Sequence, residues 1–112
     1  MTIQSYYSRS GVDLIKKYID GLSIAEQVDA YNVLSQLEKG QLDTLTVKFW
    51  EGKVKEVYFY KHNRIFYVVT KGDNIYLLHA CRKQKNRTEK KDCKLIISRA
   101  KELSMKLGKK II

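Results

Sequence analysis

The chain has 112 residues, 44% hydrophobic and 30% charged, and its 22 Lys and Arg against 12 Asp and Glu leave a net charge of +10. That length suits one domain around one core, and with no apolar stretch long enough to span a bilayer and no signal-peptide pattern, a cytoplasmic protein is expected. Two cysteines exclude a disulfide framework, and the basic excess suggests a polyanionic partner, most often nucleic acid.

Taken in order, residues 3–7 (IQSYY) suit a short first strand, broken by Ser8-Arg9-Ser10-Gly11. Val12, Ile15, Ile19 and Leu22 then recur at helical spacing, with Gly21 marking an end. Ser23 with Glu26 three residues on has the form of a capping box. It opens a second helix with apolar positions Ala25, Val28, Tyr31, Leu34 and Leu37, ending near Gly40. Two helices joined so closely make a hairpin whose apolar stripe must cover the sheet. Residues 42–50 are expected to form a connection that packs Leu45, Val47 and Trp50 against the sheet edge.

Residues 54–88 are the organising stretch, three consecutive strands rich in Val, Ile, Tyr and Phe. The turn-forming Asn and Gly of Lys61-His62-Asn63-Arg64 and Lys71-Gly72-Asp73-Asn74 suit tight two-residue loops. That register sets Phe59 opposite Phe66, Phe66 opposite His79 and Arg64 across from Cys81. One face would then carry Val57, Phe59, Arg64, Phe66, Val68, Ile75, Leu77, His79 and Cys81. The other would carry Glu56, Tyr58, Tyr60, Ile65, Tyr67, Val69, Tyr76, Leu78 and Ala80. Thr88 is the expected N-cap of a last amphipathic helix with Cys93, Ile96, Ile97, Ala100, Leu103 and Leu107 on its stripe. Gly108 suits its C′ position, and residues 109–112 are expected to be mobile.

Most enzyme chemistry is absent: there is no Gly-rich phosphate loop and no nucleophile elbow. His62, His79, Cys81 and Cys93 fit no common zinc spacing, so neither a metal nor another cofactor is expected. What remains is a cationic constellation at one end of the sheet: Arg64, His79 and Lys83, with Arg82, Lys85 and Arg87 following. Arg holds a phosphate through paired hydrogen bonds and Lys supplies a mobile charge, so the set suits metal-independent stabilisation of a phosphoryl transition state. RNA brings its own nucleophile, the 2′-hydroxyl, and His79 has a pKa suited to proton transfer or substrate positioning. Tyr58, Tyr67 and Tyr76 are candidates for stacking on bases. Each residue also has a plainer reading: His79 as a core histidine, Arg64 as a solvated neighbour of a turn, residues 82–94 as an exposed loop and helical turn, the tyrosines as packing.

The order and spacing of these residues resemble the RelE/ParE superfamily of toxins, in particular its phage-derived, HigB-like branch. The resemblance is carried by Glu56-Val57-Tyr58, by Asn63-Arg64-Ile65-Phe66-Tyr67, and by Leu77-Leu78-His79 followed by Arg82, Lys83, Lys85, Arg87 and Thr88. Ile96, Ile97 and Ala100 fit the terminal helix of that group. The resemblance implies an α+β fold, a twisted antiparallel sheet packed against an N-terminal helical hairpin and a C-terminal helix. It implies a type II toxin: a metal-independent, ribosome-dependent mRNA endonuclease that leaves a 2′,3′-cyclic phosphate. It also implies a cognate antitoxin, typically a helix-turn-helix DNA-binding protein, and a heterotetramer or larger complex with it. Arg64, Lys83 and His79 then stand as catalytic candidates, and Arg82, Lys85, Arg87, Tyr58 and Tyr67 as RNA-binding ones. Two departures stand out: Tyr58 occupies the place of an Arg, and Lys83-Gln84 that of a Lys-Lys pair. Arg64→Ala is expected to abolish toxicity with the fold intact. The rival readings are a ParE-like gyrase inhibitor and a non-catalytic nucleic-acid-binding module.

Overall fold

The computed structural model describes residues 1–83 and 88–112. In chain order the elements are β1 (Thr2–Gln4), α1 (Leu14–Asp20), α2 (Ile24–Glu38), β2 (Val47–Glu51), β3 (Val54–Phe59), β4 (Asn63–Thr70), β5 (Asn74–Arg82) and α3 (Lys90–Leu107). The fold is α+β, with a twisted five-stranded sheet in the order β1-β5-β4-β3-β2. β2 to β5 form an antiparallel meander, and β1 adds to β5 in parallel.

Both faces of the sheet are covered, which is why the strands lack clean alternation of apolar and polar residues. On one face α1 and α2 bury Ile15, Ile19, Ala30, Val33 and Leu37 against Val57, Ile65, Tyr67, Ile75 and Leu77. On the other, Ile96, Ala100 and Leu103 of α3 meet Val54, Phe66, Val68, Leu78 and Cys81. Each such aliphatic side chain contributes about 1.5–3 kcal/mol on burial, and the two layers together enclose the sheet.

The face assignment changes in two places. The β3–β4 loop has three residues: Tyr58 pairs with Arg64 and Glu56 with Phe66. That is a slip of three from the expected register, an odd number, so β3 is turned over relative to β4. Val57 and Phe59 therefore join Ile65 and Tyr67 beneath the helical hairpin, while Glu56 and Tyr58 come to lie beside Arg64. The β4–β5 loop is also one residue longer than expected, but a bulge between Phe66 and Tyr67 cancels the slip. Phe66 thus faces His79 and Arg64 faces Cys81, as the two-residue loop required, whereas Ile75 and Leu77 lie on the opposite face from Arg64.

Residues 42–50 are more than a connection, because Val47–Glu51 pairs with β3 as an edge strand. In α2 the buried positions are Glu26, Ala30, Val33 and Leu37, while Ile24 is 80% and Val28 66% exposed. Glu26 turns the helix: its carboxylate accepts hydrogen bonds from Ser23, from Asn63 at 2.7 Å and from Arg82 at 2.8 Å. Those bonds draw its face toward the sheet together with Ala30, Val33 and Leu37, and leave Ile24, Val28 and Tyr31 outside.

The start of α3 is capped at Glu89, one residue beyond Thr88, and its end at Gly108, whose φ of 65° is left-handed as a C′ glycine allows. The tail after it is docked, not mobile. Ile111 is 2% exposed, its N–H donates to Ser104 Oγ (3.0 Å), and its carbonyl accepts from the Lys53 N–H (2.8 Å). Gly52 makes this possible, since a Cβ there would collide with the Ile111 carbonyl.

A cationic basin on one face of the sheet

The inverted register of β3 builds the site. Glu56 and Tyr58, two residues apart on one strand, share a face. Cross-strand pairing sets Arg64 beside Tyr58 and Lys48 beside Glu56. Arg64 Nη1 donates to Glu56 Oε2 at 3.0 Å and to Thr88 Oγ1 at 3.3 Å. The other oxygen of Glu56 accepts the Tyr58 hydroxyl at 2.7 Å, and Lys83 Nζ donates to that hydroxyl at 3.2 Å. The Lys83 N–H is itself held by the His62 carbonyl, which anchors the end of β5 over the β3–β4 loop.

Tyr58 is thus ringed by cations: Lys83 Nζ lies 5.0 Å, Lys48 Nζ 5.4 Å and Arg64 Cζ 5.9 Å from its ring centroid. Burial, and then the hydrogen bond to Glu56, raise the phenol's pKa above its ordinary 10.0, so it is a proton-bearing group at neutral pH. Arg64 is 3% exposed and forms the back wall; its Nε has no partner among the described residues. Glu56 neutralises Arg64, so Lys48 and Lys83 carry the excess positive charge toward the accessible front. A phosphate arriving there meets two ammonium groups beside the phenol, whose O–H is held by Glu56.

His79 lies on the same face in a separate network. Arg99 Nη1 donates to Nδ1 at 3.1 Å, so Nε2 bears the proton and donates to Asp92 Oδ1 at 2.8 Å. Burial, with Arg99 close by, lowers the His79 pKa and outweighs the pull of Asp92. The ring is therefore neutral with both nitrogens engaged. Beside it, burial pushes the Cys81 thiol up to about 12.

Arg64, Lys83 and Tyr58 are therefore brought together. Arg82 is not with them, since it pairs with Glu26 and donates to the Lys61 carbonyl at 3.1 Å. Tyr67, 1% exposed beneath the helical hairpin, is a packing residue that no base can reach, and its hydroxyl has no partner among the described residues. The expected RNA contacts Lys85 and Arg87 lie outside the described residues. Glu56, Lys48 and Asp92 were not singled out as site residues by the sequence. An acidic residue inside a strand of Val, Tyr and Phe, as Glu56 is, was the available signal. Arg64→Ala is no longer a clean probe, because it would strand Glu56 as an unpaired buried carboxylate.

A family model described as phage derived protein Gp49-like (DUF891) matches residues 17–101, a span that takes in the whole basin. A comparison with curated proteins finds no match.

Proposed function

The chain belongs to the phage-derived Gp49-like family, which is linked to the toxins of toxin–antitoxin systems, and on that premise we propose that it is a ribosome-dependent mRNA endonuclease of the HigB/RelE type. The observation that carries this reading is the unbroken chain Arg64–Glu56–Tyr58–Lys83, with Lys48 above the ring. Its cationic front stabilises charge on a phosphoryl group, and no part of it requires a metal.

In this mechanism Lys83 and Lys48 hold the scissile phosphate against the Tyr58 hydroxyl. The 2′-hydroxyl of the RNA attacks phosphorus and loses its proton to solvent, while Tyr58 turns its O–H away from Glu56 and gives its proton to the departing 5′-oxygen. Lys83 and Lys48 stabilise the phenolate until solvent reprotonates it, and a 2′,3′-cyclic phosphate remains. Arg64 sets Glu56, and Glu56 sets Tyr58. Lys48 supplies the positive charge that Tyr58, standing in place of an Arg, does not. His79, with both nitrogens occupied, stands outside the phosphate chemistry.

The expected partner protein is a cognate antitoxin of the helix-turn-helix DNA-binding kind, in a heterotetramer or larger complex in the cytoplasm. The uncharged outer stripe of α2, with Ile24, Val28 and Tyr31 exposed, supports a protein partner on a chain otherwise rich in charge.

Inducible expression in bacteria with mapping of transcript 5′ ends tests the reading, comparing wild type with Lys83→Ala and Tyr58→Phe. Growth arrest with new cuts inside translated codons, lost in both variants, is the expected result. Arrest without cuts would transfer the case to gyrase inhibition. Salt-sensitive RNA binding with no arrest would leave a non-catalytic module.

A further inference from the structure

Beside the basin, the fold assembles a second constellation that the basin's chemistry does not use. His79 and Cys81 are two residues apart on β5, and the β4–β5 bulge keeps both on the face that α3 covers. Asp92, in the first turn of α3, closes over them. One ligand atom from each residue lies within 4.8 Å of the other two, and all three residues are buried.

Two features make this more than polar packing. Asp92 is a buried carboxylate whose one close charge partner among the described residues is His79, which burial and Arg99 keep neutral. Buried charges are normally paired with an opposite charge or a metal. By contrast, the neighbouring cations are already accommodated: Arg64 by Glu56, and Arg99 by the Tyr6 ring at 4.4 Å and the Leu78 carbonyl at 2.9 Å. The site also has a way in. A recess lined by Cys81, Asp92, Glu89 and Lys91 opens against it, bringing a second carboxylate to its mouth.

The geometry points to a divalent transition-metal site of the zinc class, formed by His79, Cys81 and Asp92. Water would complete a tetrahedron, with Glu89 at the mouth of the recess. Mixed imidazole, thiolate and carboxylate donors suit a borderline cation such as Zn²⁺; Mg²⁺ and Ca²⁺ select oxygen ligands. Binding is balanced in charge: the Cys81 thiolate and the Asp92 carboxylate together cancel the 2+ ion. One proton leaves the Cys81 thiol for solvent. The imidazole proton passes from Nε2 to Nδ1, so the Arg99–Nδ1 bond is given up, while Arg99 keeps the Leu78 carbonyl. The ion would tie the end of β5 to the first turn of α3. Its role is to brace the basin, and the chemistry of the basin does not pass through it.

The test uses the full-length protein stripped of metal, with Co²⁺ as the spectroscopic probe and Zn²⁺ as competitor. One equivalent of Co²⁺ is expected to give tetrahedral ligand-field bands and a thiolate-to-cobalt charge-transfer band, both removed by Zn²⁺. Cys81→Ala should abolish the charge-transfer band, Cys93→Ala should keep it, and Asp92→Asn should weaken Zn²⁺ binding by more than roughly tenfold. The wild-type spectrum and the Cys93→Ala control decide the matter even where Cys81→Ala fails to fold. No thiolate band in wild type, or a band lost with Cys93 and kept without Cys81, would overturn the site. Because the readout is metal ligation and not RNA cleavage, it stands apart from the nuclease reading.

Discussion

At the scale of the residue, the consequences follow from which groups are buried together. Lys83 follows the last residue of β5, and its half-buried side chain makes one hydrogen bond among the described residues, to Tyr58. Lys83→Ala is therefore expected to remove the growth-arrest phenotype while leaving the urea midpoint of the purified protein unchanged. Arg64→Ala should behave differently. Breaking one side of a buried ion pair costs about 3–5 kcal/mol, so the variant should lose stability along with any activity. Adding Glu56→Gln to it should cost less than the sum of the two single changes, because the stranded charge is then gone. His79 yields a pH signature. Its folded pKa lies below the ordinary 6.5, so the unfolded chain takes up the proton first. The stability owed to the neutral ring is complete above pH 6.5 and drains away as pH falls toward the folded value. Urea midpoints measured across that range should slope downward with acid in wild type and flatten in His79→Gln.

At the scale of the element, Glu26 and Ile111 do the joining. Ser23 with Glu26 announced the start of α2 in the sequence, but the carboxylate also reaches Asn63 on β4 and Arg82 on β5. The Asn63 hydrogen bond, then those of Ser23 and the charge of Arg82, hold its pKa down to about 2 from the ordinary 4.5. A depressed carboxylate stabilises above its unfolded pKa and is lost as pH falls through the folded one. An acid-unfolding limb between about pH 4.5 and 2 is therefore expected in wild type and should shrink in Glu26→Gln, as followed by circular dichroism. At the other end of the chain, Ile111→Ala should destabilise by about 2 kcal/mol or more, as buried Ile truncations do. Gly52→Ala should reproduce much of that loss by pushing the tail off its seat, and both effects are readable in thermal unfolding.

At the scale of the whole molecule, a net charge of +10 is laid over a sheet covered on both faces, and no helix among the described residues is long and apolar enough to cross a membrane. If the basin grips RNA, affinity for a short single strand should fall linearly on a log–log plot against salt. Replacing both Lys48 and Lys83 with Ala should lower that slope by roughly 0.7 per lost phosphate contact.

The sequence by itself determined what is local or periodic. The capping box at Ser23, the C′ glycine Gly108, the strands from Val54 to Arg82 and the stripe of α3 were all legible, because turn chemistry and hydrophobic period act over a few residues. Arg64 and Lys83 were legible as candidates because cations at one end of a sheet have no apolar explanation. The tertiary structure decided the rest. Loop lengths that differ by one residue invert the faces of a strand, which is how Glu56 and Tyr58 came to Arg64. A single bulge kept His79 and Cys81 beneath Asp92. The burial of Ile111 and the rotation of α2 about Glu26 depend on partners more than thirty residues away. Such contacts are settled when whole layers pack together, and no short window of sequence contains both sides of them.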